Sequence, residues 1–193
     1  MKTRPFAALS SVLLIAGLVW FGIGCGGGGG GGPTQPPPPV VPPSGVTFTP
    51  DRAASGNSVF LDAGVGGSAT VFVLAVEAQS VTDLYGVSFV LEYPNNLLAY
   101  RKGSATEGPF LNGDNSTDLI VKQRTPGELT VGISRLKEVP GATGSGLLLS
   151  LEFETRNSGS GSMRLSEEAA IDSVGQAQED VSFIGGTVNV RAN

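Results

Sequence analysis

Ser134 and Lys137 have the S-x-x-K spacing that penicillin-recognising enzymes use for their serine nucleophile. That motif needs a helical turn to bring the two side chains together, whereas on a strand they point to opposite faces. The companion S-D-N and K-T-G motifs are absent, and the chain contains no histidine for a Ser-His-Asp or Cys-His arrangement. The sequence therefore predicts no catalytic serine, with Lys137 as a charge in a loop.

Glu152 and Glu154 are two residues apart, about 6.5–7 Å on one face of a strand. A glycosidase uses two carboxylates at such a separation, but it normally takes them from separate elements that flank a cleft. Here the two acids alternate with Leu151 and Phe153, which is typical of a sheet with one solvated face. We predict that the protein is not an enzyme.

Asn112, Asp114 and Asp118 place side-chain oxygens at alternating positions, as a calcium loop does. The EF-hand pattern fails, because Thr117 stands in place of the required glycine and Gln123 in place of the bidentate glutamate. These residues are a weak candidate for a Ca²⁺ site, and otherwise the segment is a polar loop. No cofactor is predicted.

The elements that position these residues are strands, since the dominant hydrophobic period after residue 45 is two. Tyr85, Val87, Phe89, Leu91 and Tyr93 form one apolar stripe, which predicts Tyr85 and Tyr93 in the core. Nine short strands separated by turn-rich pieces predict an all-β fold, a jelly-roll or Greek-key β-sandwich of two antiparallel sheets with a bulge or bend at Gly185-Gly186. The predicted strands are 46–49, 69–77, 85–93, 97–102, 119–124, 129–134, 147–154, 162–165 and 181–191.

The N-terminal 45 residues carry no sign of a packed core. Residues 1–24 read as a signal peptide, with Lys2 and Arg4 before an apolar run, and Gly22-Ile23-Gly24-Cys25 resembles the bacterial lipobox except at Gly22, where leucine is usual. Residues 25–45 are a Gly/Pro-rich tether after the lipidated Cys25, and residues 46–193 are the folded domain. We expect an exported protein, held by a lipid anchor to the cell envelope, on the outer membrane if the organism is Gram-negative, with the domain facing the periplasm or the exterior. The alternative is an uncleaved anchor in which Cys25 is incidental.

The charge of the domain argues against nucleic acid as a partner. Residues 46–193 hold ten of the twelve cations and all seventeen anions, a net charge of −7. A phosphate backbone requires a basic surface. Trp20, the only tryptophan, belongs to the signal peptide, so Tyr100 is the one tyrosine expected to be available for stacking on a sugar ring.

Two segments resemble cohesin domains: VTDLYGVSFVLEYPNNLL at 81–98 and VSFIGGTVNV at 181–190. The paired strands expected at 127–135 and 144–153 fit the middle of that family, so the resemblance covers roughly 46–190. It implies a nine-stranded jelly roll, related in fold to bacterial cellulose-binding modules, that binds the dockerin module of a secreted partner, often a polysaccharide-degrading enzyme. Any Ca²⁺ would then be carried by the partner.

In the family, the dockerin lies on a sheet that includes the strand matching 86–92. The resemblance implies Ser88, Val90 and Glu92 as partner-facing residues, with Ser88 standing where the family commonly has an acid. The alternative is a carbohydrate-binding module of the same fold that holds polysaccharide directly, which would need a groove with exposed aromatic rings. An envelope protein with no dedicated ligand is a third possibility.

Overall fold

The computed structural model describes residues 45–113 and 117–191. The predicted signal peptide at 1–24, Cys25, the predicted tether up to residue 44, and Asp114 lie outside the described residues, so the predictions made for them stay predictions. Residues 40–193 form one compact unit. Its described part contains no helix long and apolar enough to cross a membrane.

The described residues form twelve strands where nine were predicted. They are β1 (Val46–Pro50), β2 (Ser58–Ala63), β3 (Val71–Leu84), β4 (Gly86–Glu92), β5 (Leu98–Tyr100), β6 (Thr106–Glu107), β7 (Thr117–Thr125), β8 (Glu128–Arg135), β9 (Ala142–Thr155), β10 (Gly159–Ile171), β11 (Ser182–Ile184) and β12 (Gly186–Val190).

Two sheets form a β-sandwich, which confirms the predicted fold class. The first sheet has the order β1-β12-β10-β4-β8-β7, and the second has the order β11-β2-β3-β9-β5, with β6 also paired to β9. All of these strand pairs are antiparallel except β11 with β2, which is parallel and departs from the prediction. Strands β7 and β5 are terminal in their sheets, and β1 is the opposite edge of the first sheet.

The predicted bend at Gly185-Gly186 is confirmed, because the chain changes sheet there. Strand β11 pairs with β2 in the second sheet, and β12 inserts between β1 and β10 in the first. A Cβ on Gly185 would lie 2.4 Å from the carbonyl oxygen of Met163, and one on Gly186 would lie 2.3 Å from the ring of Phe48. Only glycine fits so close an approach.

The core lies between the two sheets and follows the two-residue period of the strands. Phe89, Leu129 and Phe153 are at most 1% exposed. The Phe153 ring is central, since its centroid lies 5.0 Å from that of Tyr93 and 5.8 Å from that of Tyr100. Such edge-to-face and tilted contacts add to the hydrophobic contribution of burial.

Three local predictions need correction. Strand β2 was missed because Ser58–Leu61 is a continuous buried run without alternation. Strand β10 is much longer than 162–165, because its start is glycine and serine and its end, 166–171, contains two glutamates and a bulge, which interrupt the hydrophobic alternation. Tyr93 is buried as predicted, but Tyr85 lies between β3 and β4, only partly buried, and its hydroxyl donates to the carbonyl of Lys137.

Candidate functional site

The outer face of β10, β4, β8 and β7, hereafter the docking face, carries two of the three predicted partner-facing residues on its surface. Residues of β4 with core-facing side chains alternate with Ser88, Val90 and Glu92, which point outward. Ser88 and Glu92 are exposed. Glu92 accepts a hydrogen bond from Ser166 Oγ on β10, 3.1 Å away, and is held on the face by it.

Val90 differs from the prediction, because it is only 4% exposed despite its outward position. Its cross-strand neighbours are Thr130 on β8 and Ser166 on β10. Arg124 of β7 donates from Nε to Thr130 Oγ1 at 2.7 Å and continues to Glu167 of β10. The arginine side chain thus crosses β8 and β4 at the level of Val90, which explains why little of that valine reaches solvent.

The Arg124–Glu167 pair is bidentate. Nη1 and Nη2 of Arg124 donate to the two carboxylate oxygens of Glu167, each at 2.8 Å. These hydrogen bonds, together with the positive charge of Arg124, hold the pKa of Glu167 below its usual range, while the same contact raises the pKa of Arg124. Planar fork geometry of this kind fixes both side chains more firmly than a single contact does.

The backbone brings Glu167 into reach through a β-bulge. The register of β10 against β4 shifts between Ser166 and Ala169, and Glu167 adopts a positive φ of 50°. A bulge redirects side chains and is common beside binding sites. The bulge places Glu167 on the docking face. In a regular strand Glu167 would point to the opposite face from its neighbour Ser166, which is directed outward.

Beside this ion pair lies a shallow apolar depression of about 220 Å³. Its floor consists of small residues on adjacent strands: Gly86 and Ser88 of β4, Gly132 and Ser134 of β8, and Ala169 of β10. Its walls include Ile120, which is 47% exposed, and Ile171. Because Gly132 has no side chain, the sheet is indented there, and the space suits one aliphatic side chain of a partner.

The outer face of the second sheet is different in character. Glu152 and Glu154, predicted to be solvated, share Arg101, whose guanidinium lies 2.5 Å from Glu152 and 3.6 Å from Glu154. Glu77 is partly buried there, and this burial, together with the charge of Asp62, raises the pKa of Glu77. That face is acidic, whereas the docking face mixes both charges with apolar surface.

One end of β4 is braced by Asp83, a residue that the sequence did not single out. Its carboxylate accepts hydrogen bonds from Gly141 N at 2.8 Å and from Ser173 Oγ at 2.8 Å. The Ser173 hydroxyl is the largest cause that lowers the pKa of Asp83. A Cβ on Gly141 would lie 2.4 Å from the backbone of Asp83, so the turn at 141 is fitted to this contact.

The residues considered for catalysis or metal binding are dispersed. Ser134 lines the depression, while Lys137 follows the end of β8 with a φ of 70°. Asn112 Nδ2 donates to Glu107 at 2.9 Å, and Asp118 lies on the rim of the depression. Within residues 45–113 and 117–191 no three histidine, cysteine or acidic side chains are grouped closely enough to hold a metal ion.

Solved structures with the same architecture identify the fold. A non-cellulosomal cohesin from Archaeoglobus fulgidus superposes with a TM-score of 0.53 at 20% identity, covering 69% of this chain and 89% of that chain. The second type II cohesin module of the adaptor ScaA scaffoldin from Acetivibrio cellulolyticus superposes with a TM-score of 0.60 at 13% identity, covering 73% and 93%. The domain has a cohesin-like fold.

A third cohesin of this group was crystallised with a partner. The sixth cohesin of scaffoldin B from Acetivibrio cellulolyticus, solved in complex with a Cel5 dockerin mutant, gives a TM-score of 0.53 at 17% identity over 67% of this chain and 97% of that chain. No model of a protein family matches the sequence, and no curated protein matches it. The likeness to cohesins therefore rests on three-dimensional structure.

Sequence reasoning missed the two features that shape the docking face. Arg124 and Glu167 are 43 residues apart, and only the strand order places them together. Gly132 and Ala169 carry no chemical signal, and a depression made of small residues appears only once three strands are side by side. The signal that was present was the outward alternation of small residues along 86–92 and 128–134.

Proposed function

We propose that this protein is a non-catalytic binding module that holds a dockerin-type module of a secreted partner on the docking face. The observation that carries the proposal is the exposed apolar depression beside the Arg124–Glu167 pair, in the middle of a broad sheet surface. Three strands of seven to nine residues and the longer β10 give an area of roughly 19 Å by 25 Å, which suits a small folded module better than a sugar ring.

The composition of the face supports a protein partner. An interface typically has an apolar centre that is fully desolvated and a polar rim. Here Ile120 and the small residues form the centre, Asp118 lies on its rim, and Glu92 and Lys122 are exposed charges farther along the same face. No tyrosine or phenylalanine lines the depression, so stacking on a pyranose ring is not offered there.

The cohesin-like fold gives the partner class. The scaffoldin B cohesin named above holds a dockerin, and we propose the same partner class for this chain. Ser88 provides a hydroxyl where the resemblance leads one to expect an acid, so the apolar depression should contribute more of the affinity here than a charge-assisted hydrogen bond does.

The setting of the domain is part of the proposal. Cys25 would be lipidated after export, and the tether at 25–45 would present the domain to partners at the cell envelope. Strand β1, which follows the tether, is the edge of the first sheet that is remote from β7. Attachment there leaves the docking face free.

The experiment is an affinity capture with the immobilised domain, residues 40–193, from the secreted proteins of the producing organism. We expect one or a few proteins that carry a dockerin module, retained in Ca²⁺ and released by EDTA, because the partner carries the calcium. Glu92→Ala should weaken the capture, and Ser88→Asp should change its selectivity. Retention of soluble polysaccharide without any protein would instead support the carbohydrate-binding alternative and contradict the proposal.

A further inference from the structure

A second groove lies at the side of the sandwich, between the terminal strands of the two sheets. It has a volume of about 650 Å³ and is lined by Tyr100 of β5, Lys102, and residues 121–126 from β7 and the turn after it. It is separate from the apolar depression, with which it shares no lining residue. We call it the edge groove.

The edge groove is positively charged within an acidic domain. Lys102, Lys122 and Arg124 line it, and none of its lining residues is an acid. Arg124 is neutralised by Glu167, but neither lysine forms an ion pair with any other part of the chain that the structure describes. For residues 46–193, which carry a net charge of −7, two uncompensated lysines at one groove create a local site for an anion.

The wall of the groove is an open strand edge. β7 pairs with β8 on one side only, and its register is regular from Thr117 to Gln123. Outside that pairing, no backbone hydrogen bond of residues 117–125 is formed with the rest of the described chain. The backbone N–H and C=O groups on the outer side of β7 are therefore available to another strand.

The charges select the kind of strand. If β7 paired with β7 of a second copy, Lys122 and Arg124 of both copies would approach each other, and like charges across a strand pair are destabilising. An incoming strand with acidic side chains would instead meet Lys122 on one side and Lys102 across the groove. Its negative charge would be attracted to the lysines, whereas β7 of a second copy would be repelled by them.

We infer that β7 and the edge groove bind an extended acidic segment of another protein by adding it as a further strand to the first sheet. The backbone of β7 supplies the hydrogen bonds, and Lys102 and Lys122 select for acidic side chains. β1, the first strand of the domain, lies five strand spacings from β7, or about 24 Å. This site adjoins the docking face, with which it shares Lys122 and Arg124, but it uses the free backbone edge of β7 and not the outer surface of the sheet.

The test uses the domain, residues 40–193, uniformly labelled with ¹⁵N, and a capped nine-residue peptide in which threonine and glutamate alternate. Three further probes are the same peptide with lysine for glutamate, the peptide N-methylated at alternate residues so that it cannot donate to a strand, and oligogalacturonate. Amide shifts are followed at low salt up to about 5 mM of each probe, since weak single-strand contacts fall in this range.

We expect saturable shifts along 117–125 with the glutamate peptide, and none with the lysine or N-methylated peptides. The double variant Lys102→Glu/Lys122→Glu should weaken binding about tenfold or more, and raised salt should weaken it as well. Arg52→Glu/Arg191→Glu, which makes the same change in net charge at exposed sites outside the groove, should bind as the unmodified domain does.

Two results would overturn the inference. Absence of shifts along β7 at 5 mM glutamate peptide excludes strand addition. Equal shifts with the N-methylated peptide or with oligogalacturonate show a site for anions that does not use the strand edge, and the second of these would make the ligand an acidic polysaccharide. The spectra of the variants report directly whether they remain folded.

Discussion

Filling the apolar depression from its floor should remove partner binding without harming the fold. Gly132 lies at the centre of β8 with its missing side chain directed outward, between Val131 and Ile133, which face the core. A Cβ placed there would contact only Ser88 Cβ, at 3.9 Å, an ordinary van der Waals distance. The change Gly132→Val therefore introduces a β-branched side chain into open space above the sheet.

The two effects of Gly132→Val have opposite signs. A glycine inside a strand costs about 0.5–1 kcal/mol relative to alanine, and valine favours strands, so the variant should unfold at the same temperature as the parent or about 2–5 °C higher. Binding should fall about ten- to hundredfold, because the depression can no longer bury an aliphatic side chain worth about 1.5–3 kcal/mol.

The assay is quantitative capture of the secreted partner by the immobilised domain, alongside thermal unfolding by circular dichroism. Ser160→Val is the matched control. It introduces the same valine at an exposed outward position at the start of β10, opposite Asn189, before the pairing of β10 with β4 begins at Arg164 and therefore beyond the docking face. If Gly132→Val captures partner as well as Ser160→Val does, the depression is not part of the interface, and the reasoning is wrong.

Three other predictions concern the supports of the docking face. Because Arg124 lowers the pKa of Glu167, the pair stabilises the fold above the ordinary glutamate pKa, and this stabilisation is lost as pH falls through the lowered pKa. In carboxyl NMR titrations, Arg124→Gln should return the midpoint of Glu167 to its usual range. An unchanged midpoint would contradict the pairing. Asp83→Asn should lower the urea midpoint of unfolding, because the two carboxylate oxygens accept hydrogen bonds from Gly141 N and Ser173 Oγ, whereas an amide has only one oxygen acceptor. An unchanged midpoint would show that these hydrogen bonds do not stabilise the fold. Phe153→Ala, at a fully buried ring, should cost about 3–5 kcal/mol in urea unfolding, and a loss below 1 kcal/mol would mean that the core closes around the gap.

The sandwich was predictable because most of its strands have one face in the core and one in solvent. In β4 and β8 the core-facing residues alternate with outward ones, and that pattern is local in sequence. β2 was missed because its first four residues are buried on both faces, and β10 because its glycine- and serine-rich start and the bulge near its end interrupt the alternation. The bend at Gly185-Gly186 was predictable because two glycines weaken the interior of a strand and occur there for a structural reason.

The candidate site was less accessible to sequence reasoning. The outward positions of Ser88 and Glu92 follow from the pleat alone, but the burial of Val90 depends on Arg124, which arrives from a strand two positions away in the sheet. Such long-range pairs depend on strand order and on a bulge, and neither can be predicted from the local pattern of residues. The resemblance to cohesins supplied the sheet, and the structure supplied the depression and the ion pair.

The central claim is that the partner binds on the docking face, and a single-cysteine footprint tests it most directly. The only cysteine of the chain is Cys25, so residues 40–193 have none, and Ser88→Cys and Glu154→Cys each create one exposed thiol, on the outer faces of the first and second sheets respectively. The rate of modification by a bulky maleimide is measured with and without captured partner. We predict that the partner protects the thiol at 88 and leaves the thiol at 154 reactive. Protection at 154 with full reactivity at 88 would place the partner on the opposite sheet and contradict it.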